Sequence, residues 1–105
     1  MVTDAEKRDS VRSLRGSMIR AIYRAEKSEV SATELFLLRV CRTGPSMTVE
    51  TISDAMVYLV TSKLVERHES KIDAGDTNPL ITFSLTASGI SLAERTATDA
   101  NVNMD

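Results

Sequence analysis

One histidine, His68, and one cysteine, Cys41, are all that the chain of 105 residues offers of those two residue types for proton transfer, thiol nucleophilicity or soft-metal binding. A nucleophile needs a base held beside it and a third group to orient that base. Neither residue has sequence neighbours that supply such a set. Without a second cysteine, Cys41 forms no intrachain disulfide, and its place on an apolar stripe makes it a small buried residue. Glu69, Asp73 and Asp76 gather carboxylates, but their spacing lacks the alternation and closing glutamate of a calcium loop. The chain also has no glycine-rich phosphate loop and no Gly-x-Ser-x-Gly elbow. The expectation is a protein that is not an enzyme and uses no cofactor or metal.

The remaining chemistry is charge. Thirteen basic residues face 15 acidic ones, a net charge of −2, which argues against a chain that coats nucleic acid by bulk attraction. The distribution is uneven. Residues 1–45 carry nine basic and six acidic groups (+3), whereas residues 46–105 carry four and nine (−5). An anionic partner is therefore drawn to the first part of the chain, where Lys7, Arg8, Arg12, Arg15, Arg20, Arg24, Lys27, Arg39 and Arg42 lie. Arg12, Arg20 and Arg24 flank an apolar stripe and read most simply as a solvated helix face.

Six helical or extended segments and one long loop must position these groups. After a polar lead over residues 1–9, Val11, Leu14, Met18, Ile22 and Ala25 recur at three and four residues, with Ile19 beside them. That spacing predicts a first helix ending near Lys27. Gly16 interrupts it, marking close packing, a bend or nothing at all. Ser31-Ala32-Thr33-Glu34 predicts a capping box for a second helix, with Val30 and Leu35 as a staple and Gly44-Pro45 as its stop. Leu35, Leu38 and Cys41 share one face of that helix, and Phe36, Leu37 and Val40 broaden it, so that the helix is expected to be largely buried. Thr48 caps a third helix over 49–62, burying Ile52, Ala55, Met56 and Leu59 and turning Glu50, Asp54, Val57, Tyr58 and Thr61 outward. A strand follows from Leu64 to Ser70, then a loop over 71–79 with turn chemistry at Asp73-Ala74-Gly75-Asp76, then a strand from Leu80 to Leu85. Thr86 caps a fourth helix, and residues 96–105 are expected to fray. No apolar run approaches the ~20 residues a bilayer crossing needs, so the protein is expected to be soluble and cytoplasmic.

Tyr58-Leu59, Lys63-Leu64-Val65-Glu66-Arg67 and Leu85-Thr86-Ala87-Ser88-Gly89-Ile90 resemble the signature positions of winged helix-turn-helix proteins, across about residues 10–95. The resemblance implies an α+β, mostly helical fold of order α-α-α-β-β-α with a two-stranded wing. It further implies a DNA-binding bacterial or phage transcriptional regulator with helix 49–62 as recognition helix and loop 71–79 as wing. In that frame Arg39, Arg42, Ser46 and Thr48 position the DNA backbone. Thr51, Asp54 and Tyr58 lie nearest the groove, and Lys71 sits on the wing. Many relatives dimerise through their flanking helices. Two features depart from the pattern: Lys63 stands where the family usually has glycine or asparagine, and the recognition face offers Glu50 and Asp54 but no basic residue to base edges. The same fold used as a protein-protein interaction module is the alternative. Tyr58 carries two readings as well, a phosphate or partner contact and a cover for the core's edge.

Overall fold

The computed structural model describes residues 3–42, 47–70 and 79–105. Helix α1 (Asp4–Lys27) starts earlier than its apolar periodicity, because Thr3 closes a capping box with Glu6. The Thr3 hydroxyl accepts from the Glu6 amide at 3.1 Å, and the Glu6 carboxylate accepts from the Thr3 amide at 3.4 Å. The expected polar lead is thus helical from Asp4, and α1 overhangs the core by nearly three turns. Val11, expected in the core, is half-buried; Leu14, Met18, Ile19, Ile22 and Ala25 are buried.

A short strand, β1 (Ala32–Thr33), precedes α2 (Glu34–Cys41), and the expected order did not contain it. Ala32 pairs with Phe83 and Thr33 with Thr82. This pairing draws Ala32 and Thr33 into the sheet, so Thr33, and not Ser31, caps α2 by accepting from the Phe36 amide at 3.1 Å. Val30 and Leu35 are 58% and 60% exposed, so they make no staple. The expected broad face of α2 narrows, with Leu35 and Val40 exposed. Leu37 and Cys41, one turn apart, are buried, and Phe36 and Leu38 pack partly against the core. Gly44-Pro45 lies outside the described residues.

Helix α3 (Val49–Thr61) follows its expected pattern: Thr48 is the N-cap, and Ile52, Ala55, Met56 and Leu59 are buried. Strands β2 (Val65–Ser70) and β3 (Leu80–Leu85) then pair antiparallel from Val65↔Leu85 to Ser70↔Leu80, and α4 (Ala87–Ala93) closes the order. The sheet order is β1-β3-β2, with all pairs antiparallel. Among the described residues the fold is α+β and mostly helical, with four helices and a three-stranded sheet. None of those helices is long and apolar enough to cross a membrane.

Three helices end in the same way without glycine. Glu29, Lys63 and Arg95 have φ of 57°, 62° and 62°, the left-handed region that costs a side-chain-bearing residue roughly 1–2 kcal/mol. Each stands at the C′ position of a Schellman motif. After α3, for example, the Leu64 amide donates to the Leu59 carbonyl at 3.0 Å and the Lys63 amide to the Val60 carbonyl at 3.1 Å. Those bonds satisfy carbonyls that the helix end would otherwise leave open.

Residues 96–105, expected to fray, fold back onto α1. Val102 is 5% exposed, and the Asn103 amide donates to the Arg12 carbonyl at 3.0 Å. Arg15 and Arg20 donate to the carbonyls of Asn101 and Met104 at 3.0 and 2.9 Å. Gly16 admits this approach: a Cβ there would overlap the Asn103 carbonyl.

Candidate nucleic-acid interface

Helix α3 and the C-terminal end of α2 position most of the expected site. Arg39 lies in the last turn of α2 and Arg42 is its C-cap residue; both are exposed, and neither takes an ion-pair partner among the described residues. Ser46 and Lys71 lie outside the described residues. At the start of α3 the Thr48 hydroxyl accepts from the Thr51 amide at 3.2 Å, and the two threonine hydroxyls are 2.9 Å apart. Part of their hydrogen-bonding capacity is therefore spent on the cap. Glu50 and Asp54 are exposed on one face of α3, a turn apart. A carboxylate on such a face can accept from an exocyclic amine, but it repels phosphate.

Tyr58 is half-buried and packs against the core. The guanidinium of Arg15 lies over its ring, 3.6 Å from the centroid. That contact ties α1 to α3 and gives Tyr58 the covering role weighed from the sequence. Arg15 is the residue that pattern reading passed over. Its signal was available: Arg8, Arg12 and Arg15 are spaced by four and three residues, which puts them on one helical face.

Two further basic and titratable residues are engaged locally. Arg67, in β2, donates to Glu69 at 2.9 Å. His68 shares a hydrogen bond of 2.8 Å with Ser84 across the β2–β3 pair and is exposed. Burial pushes the Cys41 thiol up from its ordinary value, which disfavours the reactive thiolate.

On its sheet side α3 borders an apolar groove of about 200 Å³. Met56, Val57, Val60 and Phe83 line it, and Glu34 and Arg67 add opposite charges. Val57 is 63% exposed. Comparison with known proteins finds no matching family model and no matching curated protein.

Proposed function

We propose that the chain is a winged helix-turn-helix protein that binds double-stranded DNA, as a bacterial or phage transcriptional regulator does. The observation that carries this reading is the arrangement around α3. It follows α2 as the second helix of a pair, and the antiparallel β2–β3 pair follows it directly. In a helix-turn-helix the first helix of the pair crosses the DNA backbone and the second enters the major groove. In this reading Arg39 and Arg42 neutralise phosphates at the end of α2. Thr48 and Thr51 hold the start of the recognition helix, and Asp54 and Glu50 accept from cytosine N4. Ser46 and Lys71 take the remaining backbone and wing contacts.

The test is fluorescence anisotropy with random-sequence duplex DNA across a salt series, for the parent and an Arg39→Ala/Arg42→Ala variant. Each neutralised phosphate contributes about −0.9 to the slope of log affinity against log salt, so the variant's slope should be shallower by about 2. No binding at ~50 mM salt, where nonspecific contacts are strong, overturns the reading.

One feature favours a second reading, a protein-protein interaction module. Val57 stands exposed at the rim of the apolar groove, and Leu35 on α2 is 60% exposed. A protein partner would cover such residues, whereas a DNA backbone gains little from them. Val57→Asp would abolish protein capture in that case and leave Arg39 and Arg42 without effect.

A further inference from the structure

The first three turns of α1 carry a surface that differs from an ordinary solvated helix face. At ~100° per residue, Lys7 falls in line with Leu14, Met18, Ile22 and Ala25, while Arg8, Arg12 and Arg15 cluster within about 60° of one another on the flank of that side. Past the edge of the core, α1 therefore carries its cations along one flank of its core-facing side. The overhang forms one wall of an open cleft of about 620 Å³, lined by those four cations, Asp4, Val11 and Asn101. Its one lining acid is Asp4. Of the neighbouring acids, Glu6 folds back to cap Thr3, and Asp9 lies 3.6 Å from Arg12 and offsets part of its charge. Lys7 and Arg8 are exposed and take no ion-pair partner among the described residues. At the inner end of the cleft, Arg15 is fixed by the Tyr58 ring and the Asn101 carbonyl, so the basic wall joins the outer surface of α3.

We propose that this cleft is a second anchor for the DNA backbone, in which Lys7 and Arg8 reach phosphates from the overhang while Arg12 and Arg15 present held guanidinium groups. The inference rests on the DNA-binding reading and adds to it the positive charge that the outward face of α3 lacks. From Asp4 to Arg15 the wall runs about 16 Å along the helix axis. A DNA strand carries one charge per ~3.4 Å of axis, so several phosphates fall within that length. Arginine suits them because its planar donors match phosphate oxygens two at a time. A second copy of the chain docked through this same patch would bring like charges together and be repelled.

The experiment compares two charge-matched variants in the same salt-dependent anisotropy assay on duplex DNA. Lys7→Gln/Arg8→Gln removes two cations from the overhang. Arg24→Gln/Lys27→Gln removes two from the far end of α1, about 25–30 Å away and well beyond the ~10 Å screening length at 0.1 M salt. All four residues are exposed, and circular dichroism checks that the helix content is kept. The expected result is a log-log slope shallower by about 2 and an affinity at least tenfold lower at ~100 mM salt for the overhang variant, with the control close to the parent. Equal slopes for the two variants, in a parent that binds and responds to loss of Arg39 and Arg42, overturn the cleft alone. A parent that fails to bind at ~50 mM salt overturns the cleft together with the DNA reading.

Discussion

Replacing Gly16 with alanine sets two effects of similar size against each other. In a helix interior alanine is favoured over glycine by about 1 kcal/mol. At this position, however, the new methyl group would overlap the Asn103 carbonyl, so the tail must move away. The docked tail buries Val102 and makes the bonds Asn103 to Arg12, Arg15 to Asn101 and Arg20 to Met104. The valine contributes roughly 2 kcal/mol and each of the three hydrogen bonds roughly 1 kcal/mol. Holding residues 101–104 costs roughly 1 kcal/mol each in backbone entropy. Docking thus nets about 1 kcal/mol, close to what the helix gains from alanine. Global stability of Gly16→Ala should therefore stay within about 1 kcal/mol of the parent while the tail detaches. The assay must be local: the Val102 methyl resonances should move to random-coil positions and the Asn103 amide should lose its protection from exchange. Unchanged Val102 methyl shifts, with stability raised by about 1 kcal/mol, would refute the reasoning.

Lys63→Gly should stabilise the protein, because removing a side chain from φ 62° recovers roughly 1–2 kcal/mol against the roughly 0.5–1 kcal/mol that glycine loses in unfolded-state entropy. Thermal melting should show a midpoint about 3 °C higher; a lower midpoint would mean Lys63 is not held left-handed. Cys41 has a thiol pKa raised by burial, so in alkali the folded state keeps a proton that the unfolded state releases. Its contribution is complete below the unfolded thiol value of about 8.5 and is lost as pH rises above it. Urea unfolding of the parent at rising alkaline pH should therefore lose more stability than that of Cys41→Ala. Parallel curves for the two proteins would contradict the burial of the thiol.

The parts of the fold set by local periodicity were legible in the residues. The buried face of α3 follows from Ile52, Ala55, Met56 and Leu59, and the β2–β3 pair from the alternation Ile81, Phe83, Leu85. What escaped depended on distant partners. Ser31-x-x-Glu34 is a sound local cap, but pairing of Ala32 with Phe83 moves the cap to Thr33. Gly16 permits several local explanations, and only the Asn103 carbonyl selects close packing. Val102 is a single apolar residue in a polar stretch, with no periodicity to announce its burial. Of the candidate residues, Arg39, Arg42, Thr48 and Asp54 lie exposed on α2 and α3 or at their ends, as their positions in the pattern suggested, whereas Tyr58 is half-buried. The cleft beside the α1 overhang was not legible, because it forms only once Arg15 meets Tyr58 and Asn101 docks beside it.

The most direct test of DNA binding through α3 is a titration of the ¹⁵N-labelled protein with short duplex DNA, followed amide by amide. DNA recognition in this mode predicts salt-sensitive shifts concentrated at Arg39, Arg42 and Thr48 to Asp54, with the Val57 and Val60 groove edge little changed. Shifts confined to the groove edge, or no shifts at ~50 mM salt, would contradict it.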